Sequence, residues 1–181
     1  MTRPVTVAIT GGIGAGKSEA LAAFARHGAA TLSADDVVHR LIAGDAEVRA
    51  ALEERFGTTD RSRIGEIVFA DRAQLAWLEG LLHPRVRDAY EDWFAGVGSR
   101  VAVVEIPLLF ETGSESRFDK VVVVTAPGGV RRARSPAAGG AREERLLPDE
   151  EKAARADFVY ENAGSLEDLD RFAASVLEAI G

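Results

Sequence analysis

Gly11-Gly12-Ile13-Gly14-Ala15-Gly16-Lys17-Ser18 is the stretch that decides the fold, because it fits the pattern G-x-x-x-x-G-K-[ST]. The apolar, β-branched residues 5–9 before it predict a buried parallel strand. Residues 19–26 after it are good helix formers with an apolar face. This order of strand, glycine loop and helix favours a phosphate-binding loop over a turn that merely caps a helix.

Each residue type in this stretch, called the phosphate loop below, suits an anion. Glycines let backbone N–H groups turn inward with no Cβ in the way, and the following helix adds the positive end of its dipole. Lys17 would bring a full charge to the β- and γ-phosphates, and Ser18 a hydroxyl to Mg²⁺. The predicted nucleotide-binding residues are Gly12, Ile13, Gly14, Ala15, Gly16, Lys17, Ser18 and Glu19.

Composition limits the class of protein. The 181 residues suit one domain with a sizeable core, and 46% hydrophobic with 28% charged residues is typical of a globular protein. The net charge of −7 argues against a nucleic-acid partner. The absence of cysteine excludes disulfides, thiolate metal sites and a cysteine nucleophile. No signal peptide or membrane-spanning stretch is visible, so we expect a cytoplasmic protein without a membrane partner.

Strands alternate with helical segments along the rest of the chain, which predicts an α/β fold with a parallel sheet. Further strands are predicted at residues 29–32, 101–104, 121–125 and 157–160, and a final helix at 166–180. Residues 33–36 predict a cap for a helix over 37–42. A stripe of leucines over 75–82 predicts a helix that Pro84 ends. The Gly- and Pro-rich stretch 126–148 predicts a non-helical, mobile surface segment.

Three acids follow predicted strands. Asp35 comes after the second strand, where open α/β sheets bind ligands, and it can either accept a proton from an attacking hydroxyl or cap a helix. Glu105 follows the predicted strand 101–104. It is either the carboxylate that organises Mg²⁺ in phosphate-loop enzymes or an acid at a strand end without a special role. Glu111 ends the apolar loop that follows, where the pattern alone slightly favours a surface role over ligand contact.

Basic residues cluster in one segment of this acidic chain. Arginines there can stabilise a transferring phosphoryl group, and as a set we predict phosphate contact, although any single one fits a solvated face better. The set consists of Arg131, Arg132, Arg134, Arg142 and Arg145. His83, just before Pro84, either caps a helix end or contacts a ligand, and the pattern does not choose.

Together these features resemble the dephospho-CoA kinases over nearly the whole chain. The most specific matching stretches are residues 9–18, 33–35, 67–69, 81–84, 107–111 and 156–159. The resemblance implies transfer of the ATP γ-phosphate, with Mg²⁺, to the ribose 3′-hydroxyl of dephospho-CoA, giving CoA and ADP. A monomer or weak homo-oligomer is expected.

The resemblance also implies a division of the chain. A P-loop nucleotide-binding core, with a parallel sheet of about five strands flanked by helices, would comprise residues 1–36, 98–127 and 149–181. A helical insertion at 37–97 would bind the acceptor, and a shortened lid would span 128–148.

By matching positions, the resemblance gives roles to single residues. Lys17 and Ser18 would take the ATP phosphates and Mg²⁺, Asp35 would be the base that activates the 3′-hydroxyl, and Arg142 would be a lid arginine that reaches the phosphates. The remaining matches are Thr10 near the reacting groups, Asn162 near the adenine, and His83, Leu108 and Glu111 in stretches that line the acceptor site.

The chain departs from this family at four places. Glu19 stands where a threonine is usual, Ser33 replaces an aspartate, Leu146 replaces a common glutamine, and the lid is several residues short. These differences predict slower turnover or a wider nucleotide preference. The alternatives are a kinase for another nucleoside or small hydroxylated metabolite, and a weakly active nucleotide-binding protein. A GTPase switch is disfavoured because no Asn-Lys-x-Asp stretch is present.

Overall fold

The computed structural model describes residues 3–138, 143 and 146–181, and these form five strands, eight α-helices and one short 3-10 helix, Glu115–Arg117. The first half contains β1 (Val5–Gly11), α1 (Lys17–Arg26), β2 (Ala30–Ser33), α2 (Ala34–Gly44), α3 (Ala46–Phe56), α4 (Arg61–Ala70) and α5 (Arg72–Gly96). The second half contains β3 (Val101–Glu105), β4 (Lys120–Thr125), α6 (Gly128–Arg134), α7 (Asp149–Ala154), β5 (Phe158–Glu161) and α8 (Leu166–Ile180). None of the described helices combines the length and apolar character needed to cross a bilayer.

The five strands form one parallel sheet in the order β2-β3-β1-β4-β5. Glu105, the last residue of β3, pairs with Ile9 of β1 on one side and with Ser33, the last residue of β2, on the other. The carboxyl ends of three strands therefore meet at one edge, which is where parallel α/β sheets bind ligands. The predicted α/β fold with five parallel strands is confirmed.

Alternate strand residues on one face of the sheet form the main core. Val7, Val103 and Val122 are completely buried there against Phe24 of α1 and Leu169 of α8. Burial of these apolar side chains is the main contribution that holds α1 and α8 against the sheet. The core thus fixes α1, and with it the end of the phosphate loop.

The chain divides into two compact units. One comprises the residues up to Ser33 together with those from Phe94 onward, and the other is Ala34–Trp93. The second unit has its own core, in which Val48, Leu52 and Val68 are buried. Asp45 and Asp60 begin α3 and α4 by accepting hydrogen bonds from backbone N–H groups of the first turns.

Three local predictions were wrong. Pro84 lies inside α5 rather than at its end, because burial of Leu82 and Val86 offsets the backbone hydrogen bond that proline removes. The helix α2 begins at Ala34, directly after β2, instead of at residue 37. The predicted non-helical segment begins with the helix α6, which Pro127 can start because its fixed φ suits a helix entry.

Candidate active site

The phosphate loop connects β1 to α1 within the first unit. Gly14 and Gly16 have φ angles of 75° and 96°, a region that L side chains rarely adopt. A Cβ at Gly16 would also lie 2.2 Å from Nδ2 of Asn162. Lys17 begins α1, and its Nζ donates a 3.0 Å hydrogen bond to the carbonyl oxygen of Gly12. The lysine therefore bends back over the loop, as a phosphate-binding lysine must.

Ser18 and Glu105 contact each other at the carboxyl edge of the sheet. The Ser18 hydroxyl donates to Oε2 of Glu105 at 3.2 Å. Glu105 is only 5% exposed, whereas Ser18 is exposed. A hydroxyl and a carboxylate fit Mg²⁺, which prefers oxygen ligands and usually takes only one or two from the protein alongside phosphates and water. Among the described residues there is no group of three or more acids or histidines that could form an all-protein metal site.

Two buried polar residues flank the phosphate loop. The hydroxyl of Thr10, which is completely buried, donates to the carbonyl oxygen of Pro107 at 3.3 Å. Asn162, at 6% exposure, donates from Nδ2 to the carbonyl oxygen of Ala15 at 2.9 Å. Asn162 therefore supports the phosphate loop directly, and contact with adenine stays a prediction.

Glu111 has partners that the sequence did not reveal. Its Oε1 accepts a 3.0 Å hydrogen bond from the backbone N–H of Leu147 and lies 2.9 Å from Nζ of Lys152. Lys152 is completely buried. Nothing in the local pattern marks this lysine, because its acidic neighbours Glu150 and Glu151 suggest an ordinary solvated helix. The nearby Leu108, predicted to contact the acceptor, is half-buried.

The structure distinguishes among the arginines. Arg134 Nη1 lies 3.4 Å from the carbonyl oxygens of Ala15 and Asn162, so it contacts the phosphate loop. Arg131 packs against the same loop, whereas Arg132 is exposed. Two of the predicted arginines, Arg142 and Arg145, lie outside the described residues.

Two predicted residues belong to the second unit. Asp35 is the second residue of α2, two positions after the end of β2, and it is exposed. It lies within the first helical turn rather than before it, so its carboxylate complements the helix dipole instead of acting as the cap residue. His83 lies in the middle of α5 and is exposed. Of its two possible roles, the cap at a helix end is therefore excluded, and contact with a ligand stays a prediction.

Comparison with known proteins identifies the family. The family model described as dephospho-CoA kinase matches residues 5–168. The chain belongs to the dephospho-CoA kinase family. The family and the enzyme class predicted from the sequence, ATP-dependent phosphorylation of dephospho-CoA, are confirmed.

Individual relatives and solved structures are similar to the chain over most of its length. The chain is 42% identical to the dephospho-CoA kinase of Mesorhizobium japonicum, over 90% of both chains. It is similar to the crystal structure of TT1252 from Thermus thermophilus, with a TM-score of 0.81, 35% identity and coverage of 99% and 100%. It is also similar to dephospho-CoA kinase from Campylobacter jejuni, with a TM-score of 0.71, 26% identity and coverage of 98% and 97%.

Proposed function

We propose that the residues described above transfer the γ-phosphate of ATP to the ribose 3′-hydroxyl of dephospho-CoA. A bond forms between the 3′-oxygen and the γ-phosphorus, the bond from that phosphorus to the β,γ-bridging oxygen breaks, and ADP leaves. The observation that carries the proposal is the contact between Ser18 and Glu105 beside the phosphate loop. It places a hydroxyl and a carboxylate together at the end of the strands, as a nucleotide kinase requires.

The phosphate loop would bind ATP. Backbone N–H groups of residues 12–18 and the start of α1 would donate to the phosphate oxygens. Lys17 would exchange the carbonyl oxygen of Gly12 for the β- and γ-phosphates, since a charged acceptor binds an ammonium more strongly than a neutral carbonyl. Asn162 and Arg134 hold the carbonyl of Ala15 and so keep the loop in shape.

Ser18 and Glu105 would hold Mg²⁺. When bound, this ion neutralises charge on the phosphate oxygens. Glu105 is supported in this role by its burial at a strand end, which fixes the position of the carboxylate. A bound cation would add positive charge beside this buried carboxylate, which favours its ionised form.

Asp35 would act as the general base and accept the proton of the 3′-hydroxyl. Its support is its exposure and its place at the start of the helix that follows β2. Thr10 would lie near the reacting groups. Acceptor contacts are proposed for His83, Leu108 and Glu111, and a phosphate contact for Arg142. We also propose a cytoplasmic location, which the absence of cysteine supports, and no nucleic-acid partner, which the net charge of −7 supports. The proposed oligomeric state is a monomer or weak homo-oligomer.

A direct assay tests the proposal. The purified protein is incubated with ATP, Mg²⁺ and dephospho-CoA, and CoA is measured by mass spectrometry. Adenosine, other nucleosides and small hydroxylated metabolites are offered in parallel. We expect CoA to form faster than any other phosphorylated product. Faster phosphorylation of another acceptor, or ATP binding without any transfer, would contradict the proposal.

A further inference from the structure

Arg131 is built into the wall of the phosphate loop. A Cβ at Gly12 would lie 2.5 Å from Arg131 Nη1, and a Cβ at Gly14 would lie 2.6 Å from the Arg131 carbonyl oxygen. Gly12 is also the residue whose carbonyl accepts the Lys17 hydrogen bond. The guanidinium thus lies against the same residue that Lys17 contacts. The lack of a side chain at Gly12 leaves room for the guanidinium, and the lack of one at Gly14 leaves room for the Arg131 backbone.

The charge of Arg131 is held by two acids in the described structure. Glu143 forms a close ion pair with Nη1, and Oδ2 of Asp149 lies 3.7 Å from the same atom. The Asp149 carboxylate also approaches the loop, since its Oδ1 would be 3.0 Å from a Cβ at Gly12. The Asp149 carboxylate lies at a position where a phosphate could bind, because carboxylates and phosphates both accept paired hydrogen bonds from a guanidinium.

The Arg131 guanidinium can donate a further hydrogen bond. Its side chain is only 19% exposed, and its Nε is buried with no hydrogen-bond partner among the residues that the structure describes. A buried donor without an acceptor is unfavourable, and native structures usually satisfy such groups. A phosphate oxygen would provide the missing acceptor and a larger negative charge than either carboxylate.

We propose that Arg131 is a further ATP-phosphate-binding residue, and that Asp149 and Glu143 compete with the phosphates for its guanidinium. This inference rests on the proposed use of ATP. ATP binding would therefore involve an exchange of partners, in which Arg131 leaves the two acids and pairs with phosphate. Arg131 would supplement Lys17, and it would give this chain a phosphate contact from α6, ahead of the shortened part of the lid.

Calorimetric binding of ATP, ADP and AMP, without acceptor, tests the proposal. Arg131→Gln should weaken ATP binding about tenfold or more and AMP binding by less than about threefold, because it removes a charge-assisted contact to the outer phosphates. Arg132→Gln is the matched control, since this arginine lies on the same helix, is exposed, and has the same charge. Equal effects of the two substitutions on ATP binding would overturn the proposal.

Asp149→Asn provides a second test that keeps Arg131 in place. It should tighten ATP binding about threefold or more, because one competing charge is removed. In the Arg131→Gln background the same substitution should have much less effect, since the competition requires the arginine. An equal effect in both backgrounds, or no tightening in the native background, would overturn the proposal.

The two proposals fail in different ways. If the native protein makes no CoA while the binding shifts appear as expected, only the proposed function fails. If CoA forms normally while Arg131→Gln binds ATP as the native protein does, only the inference about Arg131 fails.

Discussion

Oε1 of Glu111 lies 2.9 Å from the ammonium nitrogen of Lys152, whose side chain is completely buried. Glu111 follows β3, and Lys152 belongs to α7, after the predicted lid. Burial of a lone charge is strongly unfavourable, so each partner makes the position of the other tolerable. The pair therefore connects α7 to the loop that ends at Glu111.

Removal of one partner of this pair should destabilise the protein. Lys152→Met would leave the Glu111 carboxylate without its counter-charge, and we expect a loss of about 3 kcal/mol or more in the free energy of unfolding, measured in urea. The double variant with Glu111→Met should recover most of that loss, since no charge then stays buried. Lys120→Met is the control, because Lys120 is 41% exposed in its pair with Asp157 and should change stability by about 1 kcal/mol or less. Equal losses in the single and double variants would contradict this account.

Glu105→Gln should raise the Mg²⁺ concentration needed for half-maximal activity by about tenfold, because a neutral amide is a poorer ligand for a hard cation than a carboxylate. The amide oxygen can still accept the Ser18 hydrogen bond, so the thermal midpoint should change little. Activity is measured across a range of Mg²⁺ at saturating ATP. An unchanged Mg²⁺ dependence would show that Glu105 is only a structural acid at the strand end.

Asp35→Asn should lower kcat by about 10²-fold or more and leave ATP binding nearly unchanged, because the asparagine cannot accept the hydroxyl proton. Asp36→Asn is the matched control, since Asp36 is the neighbouring acid in the same helical turn. Single-turnover rates of CoA formation separate the chemical step from product release. Similar rates for the two variants would remove Asp35 from the mechanism.

Asp119 predicts a pH dependence of stability. Hydrogen bonds from the Arg3 guanidinium, and then from Thr6, lower the pKa of Asp119 from 3.8 to about 2. The unfolded chain therefore binds this proton more readily, so the stabilising contribution is present above pH 4 and is lost as pH falls toward 2. The thermal midpoints of the native protein and Asp119→Asn should differ at pH 6 and converge near pH 2. A constant difference over this range would contradict the assignment.

Sequence reasoning succeeded where structure is determined by neighbours along the chain. The β-branched residues before Gly11 predicted β1, and the Ser165 cap predicted the start of α8, which the structure shows with a reciprocal capping box. Pro84 shows the limit of this approach. Its local penalty of about 3 kcal/mol favours a helix end, but the burial of side chains on both sides of it keeps α5 continuous.

The contacts around the candidate site were harder to predict. The pairing of Arg131 with Asp149, and of Lys152 with Glu111, joins residues that are far apart along the chain. No periodicity or short spacing marks such pairs, because charged residues in helices usually face solvent. The sequence could identify a set of arginines, but only the fold distinguishes Arg131 and Arg134, which contact the phosphate loop, from the exposed Arg132 between them.

The placement of Glu105 between Ile9 and Ser33 determines the distance between the ends of β1 and β2. One intervening strand separates the end of β1 from the end of β2, so their backbones lie about 10 Å apart at this level. Main-chain hydrogen bonds set that separation, and apolar side chains contribute only indirectly. Substitutions in the core can therefore lower stability while the distance between the ends of β1 and β2 stays constant.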